Sequence, residues 1–229
     1  MQDIPLHIIQ RGNNRNNCFF DEFDYMLYLA LLRASTVKHD CALHAYVLMS
    51  NHVHLLVTPG DIGGPARMMK MLGEQYVQYV NRRYKRTGNL WQGRYRSCLV
   101  SDDAYFMVCQ RYIELNPVRA GMVSLPAQYQ WSSHQLNLDG STDNMITPHA
   151  LHKALGGDGE QRRDAYRDLF ATEVDERLIE ELRKSTNSNF AFGCPIFKDR
   201  MAQALGTPAV RRPPGRPRSH QPRLVAELA

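Results

Sequence analysis

Apolar residues change their spacing along this chain, and each change predicts an element. Ile4 to Gln10 is a short, β-branched apolar run that stops at Arg11-Gly12-Asn13-Asn14, so a strand should end there in a turn. Glu22 to Lys38 repeats apolar side chains at helical spacing (Phe23, Met26, Leu27, Leu31), with Asp21 placed to cap the helix. Ala42 to Met49 and Val53 to Thr58 predict two strands joined through Ser50-Asn51, and Pro59-Gly60 ends the second. A second long helix is expected over Ala66 to Tyr84, ended by Thr87-Gly88-Asn89, and a further β segment over Arg94 to Val100. A third helix should run from Asp102 to Leu115, capped by Ser101 or Asp102, with Pro117 just past its end.

The resulting order is strand, helix, strand, strand, helix, strand, helix. It predicts an α+β fold of the ferredoxin-like, split-βαβ kind, an antiparallel sheet covered by helices. A sheet covered on one face could leave the other open for a substrate. The pattern changes after about Gly140. Gly140 to Asn144 is a polar linker, Glu160 to Lys184 reads as an acidic helix, and Thr207 onward is rich in Pro and Arg (Arg211, Arg212, Arg216, Arg218). The expected division is an α+β domain over 1–138, a small helical C-terminal extension over 145–206 and a basic tail over 207–229.

Composition changes this picture in three places. No apolar run is long enough to span a membrane, and Met1-Gln2-Asp3 lacks the basic start of a secretory signal, so a cytoplasmic protein is expected. Cys18, Cys41, Cys98, Cys109 and Cys194 are far apart, contain no CxxC pair, and read as reduced thiols. The net charge of +5 is unevenly spread: Gln75 to Ser101 holds six cations, no Asp or Glu, and the interleaved Tyr76, Tyr79, Tyr84, Trp91 and Tyr95. Such a stretch suits phosphates and unpaired bases, but equally a solvated helix end beside a half-buried strand.

His52-Val53-His54 opens a predicted strand, where alternation turns both imidazoles to one face and Val53 into the core. That suits two ligands on one metal, although nine histidines in this length produce such a pair often enough by chance that context is needed. Tyr112 and Asn116 are one helical turn apart, so a nucleophilic phenol and a third ligand could share a face. A phenol normally titrates near 10, so Tyr112 would need a base, the field of a metal or nearby Arg111. Taken singly, such a Tyr is more often a packing residue, and an Asn before Pro a helix terminator. His7 and His44 read as core or supporting residues rather than ligands, and the His149/His152 pair has no obvious partners.

Several stretches together carry a resemblance. Leu6–Asn13, Ala45–Leu56 (with Ser50-Asn51-His52-Val53-His54), Leu90–Tyr95, Arg111–Gly121 (with Tyr112-Ile113-Glu114-Leu115-Asn116-Pro117) and Trp131-Ser132-Ser133 occur in order over roughly the first 135 residues. The chain resembles the REP-associated tyrosine transposases, single-tyrosine transposases of the HUH nuclease superfamily. The resemblance implies that His52, His54 and Asn116 hold a divalent metal, Mg²⁺ or Mn²⁺, and that Tyr112 is the nucleophile. It also implies cleavage and rejoining of single-stranded or hairpin (REP-like) DNA through a 5′-phosphotyrosine. Imidazole ligands favour later metals, so Mn²⁺ should bind more tightly than Mg²⁺. Two departures stand out: the first strand begins close to Met1, without the short basic lead-in of many relatives, and Ser50 stands where many carry Pro.

For DNA contacts the candidates are Arg11, Asn13 and Arg15 after the first strand, and Arg94 and Arg96 in the basic stretch. No small-molecule substrate is expected, and the protein could act as a monomer or a homodimer. Two other readings use the same residues: a domesticated hairpin-binding protein without cleavage, and a rolling-circle initiator or relaxase-like nickase.

Overall fold

The computed structural model describes residues 1–101, 104–140 and 145–206. Its sheet contains β1 (Leu6–Arg11), β2 (Cys41–Met49), β3 (His52–Pro59) and β4 (Arg96–Leu99) in the order β2-β3-β1-β4, with every neighbour antiparallel. α1 (Glu22–Lys38) carries the chain from β1 to β2, and α2 (Gly64–Arg83) from β3 to β4. Two βα units therefore interleave, which is the expected ferredoxin-like topology. Beyond β4 come α3 (Ala104–Glu114), α4 (Asn116–Arg119), α5 (His134–Asp139), α6 (Ala150–Lys153), α7 (Gly159–Ala171), α8 (Glu176–Ser188) and α9 (Pro195–Leu205). None of the described helices is long and apolar enough to cross a membrane. The Arg-rich segment from Thr207, the linker residues 141–144 and the candidate cap Asp102 lie outside the described residues.

Strand alternation sorts the core into two clusters. Ile8, Leu43, Leu48, Val53, Leu55 and Val57 face α1 and α2, meeting Tyr28, Leu32, Met68, Leu72 and Tyr76. Ala45, Val47, Leu56 and Cys98 face the other way, against Phe106, Cys109, Ile113, Leu182 and Phe192. The second face is thus covered by α3 and α8, not open as the sequence suggested. The physical reason is visible in β2, whose residues from Leu43 to Met49 are all buried: a strand covered on both sides has no polar face.

Four further expectations change. In α1 the buried line is Asp24, Tyr28 and Leu32, while Phe23 and Met26 are exposed. Asp24 can be buried because it completes a capping box with Asp21 and accepts from the hydroxyls of Tyr79 (2.8 Å) and Tyr84 (2.9 Å). These bonds, together with burial of Tyr76 and Trp91, make most aromatics of the basic stretch packing residues rather than a stacking platform. α2 begins two residues early, with Pro65 in its first turn, where its missing N–H costs nothing. The single helix expected over 160–184 is broken into α7 and α8: Asp175 caps the second through the Arg177 amide (2.8 Å), and Arg111 bonds the Thr172 carbonyl beyond the end of the first.

The cysteines are free thiols, four of them buried. His44 is held between the Thr147 carbonyl (2.7 Å) and the Thr58 hydroxyl (2.8 Å) at a bulge in β2, a structural role. His149 stacks on Phe106 and His152 bonds the Asn137 carbonyl (3.0 Å), so this pair also packs.

Candidate active site

Backbone pairing brings the motif blocks together. Beyond β1 the chain stays bound to the 90–92 segment: Asn13 N–H donates to the Leu90 carbonyl and Gln92 N–H to the Arg11 carbonyl, both at 2.8 Å. Arg11 and Arg15 therefore stand beside Arg94 and Arg96. These four line a hollow of about 480 Å³ with Ile9, Gln92, Gly93 and Asn187. Asn13, also expected to contact DNA, is exposed and does not line it.

His52 and His54 pair with Arg11 and Ile9 of β1, on the face that α3 and α8 cover. Val53 between them is buried in the opposite cluster, as alternation requires. α3 delivers Tyr112 to the same place. The helical path then continues into α4 almost without interruption: Leu115 keeps helical angles, and Pro117 is tolerated as part of the first turn of α4. Asn116 thus stays one turn from Tyr112, its Nδ2 donating to the Tyr112 carbonyl at 2.8 Å, which leaves Oδ1 as its acceptor. His52, His54, Tyr112 and Asn116 line a cavity of about 320 Å³ together with His7, Ile9, Arg11, Arg183, Thr186 and Asn187. Sharing Ile9, Arg11 and Asn187, this cavity and the arginine hollow run on as one cleft.

The rings are held tightly. His52 Nδ1 lies 2.6 Å from Asn51 Oδ1, and Asn51 Nδ2 donates to the Arg15 carbonyl at 3.1 Å. That second bond orients the amide, so Oδ1 accepts from Nδ1–H and Nε2 of His52 keeps its lone pair. His54 and Tyr112 meet edge to face, ring centroids 5.5 Å apart. His7, behind His54, places Nε2 2.8 Å from His54 Nδ1. Burial pulls His7 down to about 3 and, helped by the charge of Arg11, His52 to about 4. Burial first, then the neighbouring His7, His52, Arg11 and Arg183, holds His54 well below the usual imidazole range. Near neutral pH all three are uncharged imidazoles, the form that donates a lone pair.

Arg111, expected near the phenol, turns away to Thr172. The cation beside Tyr112 is instead Arg183 of α8. Its guanidinium lies over the ring at 5.6 Å, and Nε donates a long hydrogen bond of 3.4 Å to the phenol oxygen. Nothing in the spacing of the sequence singled out Arg183 or Thr186; both sit in an amphipathic, acidic helix some 70 residues beyond the tyrosine. Among the described residues no group of three His, Cys, Asp or Glu could hold a metal ion, and the Asn116 amide is an oxygen donor that lines the cavity beside the two histidines. The residues present fit a divalent ion: the imidazoles of His52 and His54 and the amide of Asn116 line the same cavity.

A family model described as "Transposase IS200 like" matches residues 1–116, half of the chain, and takes in both histidines, the tyrosine and the asparagine. The chain belongs to the IS200-like transposases. Among solved structures, this chain is similar to a REP-associated tyrosine transposase bound to a REP hairpin. The two share 17% identity and a TM-score of 0.53 over 65% of this chain and 88% of that one, a likeness of fold. A Deinococcus radiodurans R1 chain described as a transposase is 22% identical, covering 50% of this chain and 91% of its own, but with a TM-score of only 0.36. No curated protein matches the chain significantly.

Proposed function

We propose that this transposase is a metal-dependent endonuclease and strand-transfer enzyme that acts on single-stranded or hairpin DNA, with Tyr112 as its nucleophile. One observation carries the reading. Two imidazoles from β3, a tyrosine from α3 and an amide from α4 line one cavity, and that cavity opens into a hollow walled by four arginines. A protein that only bound DNA would need the arginines but not the other four side chains.

In the proposed reaction Arg11, Arg15, Arg94 and Arg96 hold the backbone of the strand, which positions it without reading bases. Arg183 faces the phosphate beside Tyr112. The phenol oxygen attacks phosphorus, a P–O bond to tyrosine forms, and the P–O3′ bond breaks. The electron pair leaves on the 3′ oxygen, which takes up a proton, while the phenol gives one up. The DNA 5′ end remains linked to the protein, and the reverse attack by a 3′-hydroxyl rejoins strands without an added energy source. His52, His54 and Asn116 would hold a divalent cation, which would polarise the scissile phosphate and offset charge on the departing oxygen.

The test is incubation of the protein with labelled single-stranded hairpin oligonucleotides from its own locus, in Mn²⁺, Mg²⁺ or chelator. A covalent protein–DNA band that requires the cation is expected. Retarded DNA with no covalent band, over several flanking sequences and both metals, would overturn the reading in favour of a hairpin-binding protein. Arg94→Ala should weaken binding about equally for all sequences and lower the slope of log affinity against log salt by about 1. An unchanged slope in a salt titration would remove Arg94 from the DNA path.

A further inference from the structure

The second nitrogen of His54 is held by a chain of side chains that begins in α8, beyond the residues that match the family model. The Thr186 hydroxyl lies 2.8 Å from the Leu182 carbonyl, one helical turn back. Two oxygens at that separation need a proton between them, and the carbonyl has none to offer, so Thr186 donates. Its one proton is then spent. Toward His7 Nδ1, also at 2.8 Å, and toward Cys98 Sγ, at 3.1 Å, the same oxygen can only accept.

His7 must therefore carry its proton on Nδ1. Its ring is 1% exposed, and a buried cation there has no carboxylate among its hydrogen-bond partners, so it is neutral with a bare Nε2. His7 Nε2 and His54 Nδ1 are 2.8 Å apart, and the two rings are nearly coplanar, at 4°, with centroids 5.0 Å apart. That is the arrangement of an in-plane N–H···N hydrogen bond rather than a face-to-face stack. With His7 Nε2 bare, the shared proton belongs to His54 Nδ1. His54 is itself buried and neutral, and its lone pair lies on Nε2.

We propose that Thr186, acting through His7, sets the tautomer of His54 so that the Nε2 lone pair is the one presented to the cleft. Thr186 and His7 are then positioning residues. This completes on His54 what Asn51 does for His52, and it makes α8 a working part of the metal site. The metal role rests on the proposed function above; the tautomer assignment does not. Removing the Thr186 hydroxyl strips His7 Nδ1–H of its acceptor. The proton can then move to His7 Nε2, which drives the His54 proton onto Nε2 and takes away the ligand atom.

The closing experiment uses the metal-free full chain, labelled with ¹⁵N at histidine, and reads each ring by long-range ¹H–¹⁵N correlation, with His54→Asn to assign the signal. The wild type is expected to show His54 protonated on Nδ1 and bare on Nε2. In Thr186→Val the Nε2 proton should appear, whereas Thr186→Ser should keep the wild-type pattern. Calorimetric Mn²⁺ affinity should fall by roughly 10–100-fold in Thr186→Val and stay near wild type in Thr186→Ser. A wild-type spectrum with His54 protonated on Nε2 overturns the proposal even if the valine variant does not fold, as does a folded valine variant with unchanged His54 signals. If the tautomers are as stated but Mn²⁺ binds equally well to His52→Ala, the metal reading fails and the tautomer assignment stands.

Discussion

Replacing Tyr112 with phenylalanine is expected to abolish the covalent protein–DNA adduct while leaving the fold and hairpin retention intact. The substitution deletes one atom. That oxygen makes a 3.4 Å contact with Arg183 Nε, too long to contribute much stability, and the ring keeps its edge-to-face contacts with His7 and His54. Stability should therefore change by less than about 1 kcal/mol. Cleavage should fall by at least ~10⁴-fold, because a lost nucleophile leaves only what positioning and charge can do for water. Denaturing gels report the adduct, retardation in native gels the binding, and a thermal melt the fold. An adduct at the wild-type level in the phenylalanine variant would place the nucleophile on another residue.

Glu114→Ala should produce the largest loss of stability among single changes near the site. Glu114 is fully buried, two residues past Tyr112 on α3. Its Oε1 accepts from Ser133 Oγ (2.6 Å) and Asn137 Nδ2 (2.8 Å), and its Oε2 from the Tyr166 hydroxyl (2.6 Å) and His134 Nδ1 (3.1 Å). One carboxylate thus ties together α3, α5 and α7, and alanine would take an acceptor from four buried donors at once. A cost of about 3–5 kcal/mol is expected, or a fall in melting temperature on the order of 10 °C. Glu114→Gln should lose less, because its amide still accepts on one side. Cleavage should fall along with stability, since the same residue holds the turn of helix that presents Tyr112. An alanine variant melting within about 3 °C of wild type would show that the network contributes little.

This network also explains why separate motifs occur together in the chain. Glu114 belongs to the Tyr112–Pro117 block and Ser133 to the Trp131-Ser132-Ser133 block, and the two bond directly. The second block also lies along β2, Ser133 N–H donating to the Tyr46 carbonyl at 3.0 Å and Leu48 N–H to the Trp131 carbonyl at 2.9 Å. In the same way Leu6–Asn13 and Leu90–Tyr95 meet through Asn13 and Gln92. Read as sequence, the blocks are only an ordered set. In the fold four of them line one cleft, and Trp131-Ser132-Ser133 packs behind it against β2 and Glu114.

What was legible in the sequence is what local geometry dictates. A two-residue strand period puts His52 and His54 on one face and Val53 in the core, whatever packs around them. A helical turn keeps Tyr112 and Asn116 together, even through the start of α4. Strand and helix order led to the ferredoxin-like sheet, because interleaved βα units close in few ways. The four arginines were found as a class, from their place beside turns and in an acid-free stretch.

Tertiary structure alone decided the rest. Arg183 replaces Arg111 beside the phenol because α3 points Arg111 at Thr172 and α8 crosses at the level of Tyr112. Thr186 and His7 stand 179 positions apart in the chain and 2.8 Å apart in space. The aromatics of the basic stretch pack because a buried carboxylate, Asp24, waits for two of their hydroxyls. Such contacts leave no period in the sequence. A backbone repeat is set by the sterics of neighbouring residues, whereas a contact between distant side chains exists only once the whole core has fixed where both helices lie.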